Sequence, residues 1–419
     1  MGATELLAAV APEPAPAATP ESATSAAPAS APGRCDVAIV GGGVVGLSIA
    51  YFLKALAPAA EVAVIEREPG YEHCSTLRAS GGCRVQFSCP ENILMSLFSI
   101  DFIRRFPELM RTATHDAPID WVEGGYLFIV PPERVSMLEA NHAEQRRLGC
   151  VAELLDRAAL AARFPSMRVD DLGAGVHTPH DGWCDPHQLL HGLRRKAIGL
   201  GVHWIADEVV SLDVSGKLVR AAGLRSGARI AAAAFVNAAG AWSAGVARMA
   251  GMTLPIAPLR RFEHYFTSGN PIERLPYVKD VHRMAFRSEG TGFSGGVVDS
   301  SEPRGVNFDV DHDYFERVVW PAVAHRFPPL EAARCHRSWS GLYEQCELDG
   351  NPIIGNWPGV LDNFHVCAGF SGHGMMHAPA AGRAVAERIV FGEDRSIDLS
   401  RLGYARVLRN EPYAERGIL

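Results

Sequence analysis

The first hydrophobic pattern in the chain consists of two short apolar runs with a helical stretch between them. Residues 37–40 form a β-branched run typical of a buried parallel strand, and residues 61–66 form a second apolar strand that ends in Glu66. Between the two, residues 44–56 predict a helix. A strand, a helix and a strand in this order predict a βαβ unit with parallel strands.

Three glycines lie in the turn that joins the first strand to the helix or in the first turn of the helix. Gly41 allows the tight turn, Gly43 lets the backbone approach a pyrophosphate, and Gly46 lets the helix pack against the strand. The helix N-terminus favours phosphate, and Glu66 lies where a carboxylate binds ribose hydroxyls. The pattern predicts a dinucleotide site, for NAD or FAD without a ribose 2′-phosphate. An ordinary glycine-rich turn is the alternative interpretation.

Hydrophobic spacing further along the chain predicts alternating helices and strands. Helices are predicted over residues 90–106, 132–148, 187–200, 311–327 and 380–390, and strands over residues 202–214, 219–224, 231–237 and 363–367. Residues 121–130 predict a hairpin around Gly124 and Gly125, and the aromatic, alternating texture of residues 260–309 predicts an antiparallel sheet. The expected fold class is therefore α/β, or α+β when the whole chain is considered.

Composition and charge narrow the class of protein. The chain has 419 residues, enough for two or more domains, and 47% of them are apolar. A net charge of −7 gives no reason to expect nucleic acid or an anionic membrane as a partner, and no apolar run is long enough to span a bilayer. Nine cysteines without metal-type pairs indicate free thiols.

Residues 1–33 differ in composition from the rest of the chain. They are mostly Ala, Pro, Ser and Thr, with scattered prolines, and they predict a disordered tail. They lack the basic start of a signal peptide and the arginines of a mitochondrial transit peptide. The expected location is therefore the cytoplasm.

The glycine fingerprint occurs in one order with residues 236–242 (VNAAGAW) and residues 369–374 (GFSGHG). Together these motifs resemble the D-amino-acid oxidase and sarcosine oxidase family of FAD enzymes, also called glycine-oxidase-like, over nearly all of residues 36–390. Shorter stretches at residues 86–92, 181–186 and 310–315 look like one branch of that family, the FAD-dependent oxidoreductase domain-containing proteins, in which a respiratory complex I assembly factor is found.

The resemblance implies a Rossmann-like FAD-binding domain with an inserted substrate domain built on an antiparallel sheet. On this basis the FAD-binding domain comprises residues 34–120, 185–258 and 340–395, and the substrate domain comprises residues 121–184 and 259–339. Residues 396–419 form a C-terminal extension. The implied cofactor-binding residues are Gly41, Gly43, Val44, Val45, Gly46, Glu66, Arg67, Ser80, Gly81, Gly82, Val209, Ala239, Gly240, Trp242, Gly341, Gly369, Gly372, His373, Gly374 and Met375.

The resemblance also implies three catalytic residues. Arg84 matches the arginine that binds the substrate carboxylate, a task that suits the planar donors of a guanidinium, and its alternatives are a surface salt bridge or a flavin contact. Tyr343 matches a pocket tyrosine, with a half-buried core tyrosine as the alternative. His373 lies in the loop expected at the flavin edge, and the alternative is a histidine satisfied by the backbone.

Departures from the family pattern qualify these expectations. The cysteine that attaches flavin covalently in sarcosine-type oxidases corresponds to about Gly341, so noncovalent FAD is expected. The second carboxylate-binding lysine corresponds to Met376, and the lysine credited with oxygen activation falls near Ser294 or Gly295. These changes leave open a larger or less charged amine, and an electron acceptor other than oxygen. No metal site is expected.

The resemblance implies an FAD-dependent oxidase or dehydrogenase that oxidises a C–N bond of an amine or amino acid, with a secondary amine favoured. Hydride transfer to the flavin gives an imine that hydrolyses. The expected partners are this small substrate and oxygen or another electron acceptor. The alternative is a flavoprotein that assembles or stabilises another complex with little turnover. The sequence names neither the substrate nor the oligomeric state.

Overall fold

The computed structural model describes residues 32–280 and 284–417 of the chain. The predicted disordered tail therefore lies almost entirely outside the described residues, and the cytoplasmic location stays a prediction from the sequence. No helix of the described residues is long and apolar enough to cross a membrane. The described residues form two eight-stranded sheets and a small two-stranded one.

The first sheet has a parallel core. From edge to edge its strands are Ile353–Trp357, Leu361–Ala368, Arg229–Asn237, Arg34–Val40, Val62–Glu66 and His203–Ala206, and the hairpin of Val209–Ser215 and Leu218–Leu224 branches from Arg229–Asn237. The central strand Arg34–Val40 pairs in parallel with both neighbours. Its last four residues are buried, as expected for a strand covered on both faces.

The second sheet is almost wholly antiparallel. Its strands, in order, are Arg334–Cys346, Ile256–Thr267, Gly292–Val297, Met284–Glu289, Tyr277–Lys279, Tyr126–Val130, Ala174–Thr178 and Glu153–Asp156. Only Tyr277–Lys279 and Tyr126–Val130 run parallel to each other among these neighbours. The two-stranded sheet joins Gly82–Cys83 to Gly182–Trp183. The mixed α/β fold expected from the sequence is confirmed, with a parallel-core sheet and a separate, largely antiparallel one.

Helices cover the first sheet and connect the two sheets. The α-helices are Val44–Leu56, Pro90–Arg104, Phe106–Met110, Val135–Arg147, Arg157–Arg163, Pro186–Gly199, Ser243–Met249, Trp320–Arg326, Gly374–Phe391 and Ala405–Leu408. The helices Val44–Leu56 and Gly374–Phe391 pack closely against each other: a Cβ atom added at Gly382 would lie 2.7 Å from the Cβ atom of Ser48. This contact brings the glycine fingerprint close to the motif at residues 369–374, although the two are far apart in sequence.

The predicted hairpin at residues 121–130 is wrong. Val122 instead bridges to Trp183, and a side chain at Gly124 would lie 2.2 Å from the Trp183 ring. Gly125, with a φ of 78°, then turns the chain into the strand Tyr126–Val130 in the middle of the second sheet. At Gly124 the backbone passes close to the ring of Trp183, and at Gly125 it needs a positive φ. The sequence pattern of a hairpin does not reveal this long-range contact.

Three predicted elements need new boundaries. The single helix expected over residues 311–327 is a π turn, Phe315–Val319, followed by the helix Trp320–Arg326, because Pro321 has no N–H donor. The strand expected over residues 202–214 is interrupted at Asp207 and Glu208. The helix expected from residue 380 begins at Gly374 and continues through Pro379. The domain boundaries stay predictions; the strand Arg334–Cys346 runs across the one at residue 340.

Candidate functional site

A cavity of about 660 Å³ opens between the carboxyl ends of the parallel strands and the face of the second sheet. This position is the general ligand site of open α/β sheets, and the volume lies in the range of small-molecule and cofactor sites. The cavity is lined at one end by Glu66 and Trp242, and its lining also includes Tyr343 and His373. One continuous space therefore connects the glycine fingerprint with the loop near the C-terminus.

The fingerprint glycines have the conformations that their predicted tasks require. Gly41 has a φ of 105°, and a Cβ atom there would lie 2.4 Å from the carbonyl oxygen of Ala238. A Cβ atom at Gly46 would lie 2.0 Å from the carbonyl oxygen of Gly41, so this glycine permits helix–strand packing. Gly43 caps the helix Val44–Leu56 and lines the cavity, with Thr76 Oγ1, at 3.8 Å, as the nearest atom to an added Cβ. The helix N-terminus is thus open to an anionic group.

Glu66 ends the second strand and faces the same cavity. Its carboxylate accepts hydrogen bonds from the N–H groups of Gly42 and Glu68, both at 2.8 Å. Burial raises the pKa of Glu66, against the lowering effect of these two donors. The adjacent Arg67 guanidinium lies 3.7 Å from the ring centroid of Trp242, so two more predicted cofactor residues form one stacked wall.

The segment that follows the strand Arg229–Asn237 is fixed by a buried asparagine. Asn237 donates to the carbonyl oxygen of Ser243 at 2.8 Å and accepts from the N–H of Ala239 at 3.3 Å. This places the backbone of Ala239 and Gly240 at the cavity wall. The sequence motif NAAGAW therefore contributes small residues and backbone where a cofactor approaches.

The loop at residues 369–374 is held by a carboxylate that the sequence did not single out. Glu344 accepts a hydrogen bond from the N–H of Gly369 at 2.9 Å, and burial raises the pKa of Glu344 to about 7. Three residues of this loop, Gly369, Ser371 and Gly372, have positive φ. The loop ends at the N-terminus of the helix Gly374–Phe391, which also reaches the cavity.

Arg84 is buried in the cavity wall, with 3% of its surface exposed. Its guanidinium donates to the carbonyl oxygen of Gln86, lies 3.4 Å from Nε2 of His373 and stacks 4.0 Å from the ring centroid of Phe87. Within the described residues it forms no ion pair. The surface salt bridge considered as an alternative is therefore wrong, and a buried positive charge faces a space that could hold an anion.

His373 contacts Arg84 through a nitrogen that must accept, since a guanidinium only donates. Burial and the charge of Arg84 hold the pKa of His373 well below its usual range, so the ring is neutral and Nδ1 carries its proton. That atom is buried and has no hydrogen-bond partner among the described residues. The alternative of a ring that is hydrogen-bonded by the backbone therefore does not apply. The Nδ1–H group is available to donate to a bound ligand.

Tyr343 lies on the strand Arg334–Cys346 of the second sheet. Its side chain is half-buried, as the alternative of a core tyrosine predicted, but it also lines the cavity. Its ring lies against the neighbouring arginine of the sheet, with the Arg261 guanidinium 5.2 Å from the ring centroid. A side chain at Gly372 would touch this ring at 2.4 Å. The tyrosine therefore packs on the glycine loop.

The structure brings almost all the predicted site residues together. The residues that line the cavity are Gly41, Gly43, Val44, Val45, Glu66, Arg67, Ser80, Gly81, Gly82, Arg84, Val209, Ala239, Gly240, Trp242, Gly341, Tyr343, Gly372, His373, Gly374 and Met375. Gly46 and Gly369 do not line it and act through packing and loop geometry. The charged lining residues that sequence reasoning missed include Glu263, Lys279, Glu344 and Glu415, because no motif marks them.

The model of the FAD-dependent oxidoreductase family designated DAO matches residues 36–388. The chain belongs to this family. It is 36% identical to FAD-dependent oxidoreductase domain-containing protein 1 of Xenopus laevis, over 93% of this chain and 85% of the relative. It is 26% identical to mitochondrial sarcosine dehydrogenase of Mus musculus, over 89% of this chain and 42% of that protein.

The fold of the chain also resembles solved structures of such flavoproteins. The crystal structure of L-proline dehydrogenase from P. horikoshii superposes with a TM-score of 0.81, at 26% identity, over 91% of this chain and all of that one. The family implies FAD as cofactor. The residues present fit it: the open helix N-terminus beside Gly43 suits a pyrophosphate, Glu66 suits ribose hydroxyls, and the unpartnered donor of His373 suits a polar ring edge.

Proposed function

We propose that the protein oxidises the C–N bond of an amino acid or related amine, giving an imine that hydrolyses. The observation that carries the proposal is the buried guanidinium of Arg84, which lacks an ion-pair partner within the described part of the chain and faces the cavity that the dinucleotide fingerprint lines. A buried charge without a partner is costly, so a carboxylate that binds there gains a strong, two-pronged contact.

The cofactor, when bound, supplies the electron sink that accepts a hydride from the carbon next to nitrogen. The protein's own task is to hold that carbon in place and to exclude water. Arg84 would orient the carboxylate, and the Tyr343 ring, packed on Gly372, would form a wall of the substrate space. His373 would donate its free Nδ1–H to the ligand beside it.

A secondary amine is the proposed substrate type. Sarcosine and L-proline, named for two of the similar proteins, each carry a secondary amine and a carboxylate. Met376, at 7% exposure, lines the cavity where sarcosine-type oxidases have a second carboxylate-binding lysine. The carboxylate contact of this chain would then depend on Arg84 more heavily than in those enzymes.

The test is anaerobic reduction of the flavin by matched pairs of amines. L-Proline and pyrrolidine share the ring but differ in the carboxylate, and sarcosine and dimethylamine form a second pair. We expect bleaching by the amino acids and little by the neutral partners. Arg84→Met should weaken the amino acids alone, whereas the exposed control Arg195→Met should change neither. Equal losses for both members of a pair would remove Arg84 from carboxylate binding.

The alternative function is stabilisation of another complex with little turnover. It draws on the 36% identity to a relative whose name states no substrate and on the methionine at position 376. Flavin that no amine in the panel reduces, in a protein that co-purifies with a stoichiometric partner, would favour this alternative over the enzyme.

We also propose that FAD is held without a covalent bond. Gly341 offers no side chain, and of the cysteines at the cavity wall, Cys74 and Cys367, both have thiol pKa values raised by burial, which disfavours the reactive thiolate. Acid precipitation should leave the yellow colour in the supernatant. Colour that stays with the pellet would contradict the proposal.

A further inference from the structure

Lys279 is one of only four lysines in the chain, with Lys54, Lys196 and Lys217. It ends the short strand Tyr277–Lys279 in the middle of the second sheet and lines the cavity. Within the described residues its amine has no hydrogen bond and no ion pair, and the centroid of the Tyr277 ring lies 5.9 Å from Nζ. This amine is therefore open to the ligand space.

The groups around Lys279 disfavour a permanent positive charge. Burial, together with the charge of Arg84, lowers the pKa of Lys279 to about 7, against the raising effect of the Glu263 carboxyl. The charged or titratable groups on the elements that surround it include Arg84, Tyr126, Glu263, Tyr277, Asp280, Arg287, Glu289 and His373, and Glu289 is paired with Arg287. Asp280 is engaged with Arg326, so it does not neutralise the lysine.

The proposed reaction needs a proton acceptor at this place. An amine with an ordinary pKa of about 10 is protonated in all but roughly one molecule in a thousand at pH 7. The protonated form has no lone pair on nitrogen, so it cannot form the C=N bond as the hydride leaves. A base in the cavity would let the abundant form of the substrate react.

We propose that Lys279 is that base: its neutral amine, open to the cavity beside Arg84, accepts the proton of the substrate ammonium. The inference rests on the proposed function. An N–H bond of the substrate breaks, its electron pair stays on nitrogen, and the proton binds Nζ. The neighbouring C–H bond then breaks with both electrons passing to the flavin as oxidant, and the nitrogen lone pair forms the C=N bond.

Substrate binding itself would strengthen the base. A carboxylate on Arg84 cancels the positive charge that lowers the pKa of Lys279, so the affinity of Lys279 for a proton increases when substrate is present. The carboxyl of Glu263, which accepts from Ser294 Oγ at 2.9 Å, stabilises the ammonium that forms. Recognition of the carboxylate and deprotonation of the amine would thus be coupled through one short-range interaction.

A direct test measures the titration of Lys279 without any turnover. The four lysines of the holoprotein are labelled competitively with acetic anhydride across pH 6–11, and each is quantified by mass spectrometry. We expect Lys279 to titrate near 7 and its pKa to shift upward when benzoate, a carboxylate without an amine, is bound, with the exposed Lys217 as the internal control for labelling. Titration near 10, or no shift with benzoate, would overturn the proposal.

A kinetic test uses anaerobic flavin reduction by L-proline and sarcosine. Lys279→Met should slow reduction at pH 7 by about 10² to 10³-fold, and the rate should then rise about tenfold per pH unit as free amine accumulates. Lys279→Arg keeps the charge but cannot accept a proton, so it should be equally slow. Lys217→Met is the matched control, and re-oxidation by oxygen should not change in any variant.

The outcomes separate this inference from the proposed function. A wild-type flavin that neither amino acid reduces would overturn both. Reduction that Lys279→Met leaves unchanged, rescue by Lys279→Arg, or a defect confined to re-oxidation would overturn the base assignment alone. Slow reduction that recovers at high pH, together with the benzoate-dependent shift, would establish it.

Discussion

Substituting Gly43 by alanine separates a glycine needed for ligand approach from glycines needed by the fold. Gly43 has a φ of −69°, which any residue adopts, and an added Cβ atom meets nothing closer than Thr76 Oγ1 at 3.8 Å. Gly41 and Gly46, in contrast, would place a Cβ atom 2.4 Å and 2.0 Å from backbone oxygens. Backbone cannot move aside as a flexible side chain can.

The magnitudes follow from these distances. Gly43→Ala exchanges a tolerated N-cap residue for a poorer one, at a cost to apoprotein stability of about 1 kcal/mol or less. The methyl group, however, points into the space beside the helix N-terminus. Losing one charge-assisted hydrogen bond to the pyrophosphate costs about 1.5–3 kcal/mol, which raises the Kd for FAD by roughly 10- to 100-fold.

The assay measures flavin content and apoprotein stability in parallel. We expect Gly43→Ala to unfold thermally within a few degrees of the wild-type apoprotein but to bind FAD weakly by fluorescence titration. Gly46→Ala should lose both properties. Gly70→Ala is the control, since nothing lies within 4 Å of its added Cβ atom and it does not line the cavity. A Gly43→Ala variant with wild-type affinity for FAD would refute the reasoning.

Three further predictions concern buried charges. Arg406→Met strips the buried Asp349 of its ion pair and should lower the free energy of unfolding by about 3–5 kcal/mol in urea denaturation; an unchanged midpoint would contradict this. Glu344 has a folded pKa of about 7, above its unfolded value, so its contribution to apoprotein stability is full near pH 4 and is lost as the pH rises through 7. Glu344→Gln should flatten that slope in pH-dependent melts, and parallel curves would count against it. Glu415→Ala removes the acceptor for the N–H groups of Ser88 and Cys89 and should cost about 1.5–3 kcal/mol in the same denaturation assay; no loss would show that these hydrogen bonds are dispensable.

The parts of the site that the sequence predicted are those set by local backbone rules. Gly41, Gly43 and Gly46 could be assigned separate tasks because a βα turn fixes their conformation within six residues of chain. Glu66 followed because the carboxyl end of the second parallel strand lies beside that turn. The helix Val44–Leu56 was predicted to the residue, since its apolar stretch begins directly at the glycine turn.

The elements that the sequence mispredicted depend on contacts between distant segments. Gly124 and Gly125 have the composition of a hairpin, but the ring of Trp183, about sixty residues later, decides their role. The C-terminal helix was placed after Pro379 because proline disfavours a helix interior. Its true start at Gly374 is stabilised by the loop that Glu344 anchors, a contact that links two regions 25 residues apart.

The charges of the substrate space come from widely separated parts of the chain, and this explains why the sequence predicted Arg84 but neither Lys279 nor Glu415. Arg84 follows the short strand Gly82–Cys83, Lys279 ends a strand of the second sheet, and Glu415 reaches the cavity from the end of the described chain. Glu415 accepts hydrogen bonds from the N–H groups of Ser88 and Cys89, directly before the helix Pro90–Arg104, and its charge also acts on Arg84.

The positions of Arg84, Lys279 and Glu415 determine which charges in the site can respond to a bound ligand. The guanidinium of Arg84 is placed close enough to Lys279 to lower the pKa of its amine, while the carboxylate of Glu415 is bound to backbone donors rather than to the guanidinium. Arg84 therefore keeps its capacity to bind an external anion, and Lys279 responds to whether that anion is present. A substrate with a carboxylate and an amine interacts with both Arg84 and Lys279, whereas a simple amine interacts only with Lys279. The preference for amino acids over amines should accordingly be larger at pH 7 than at pH 10, where the free amine no longer needs a base.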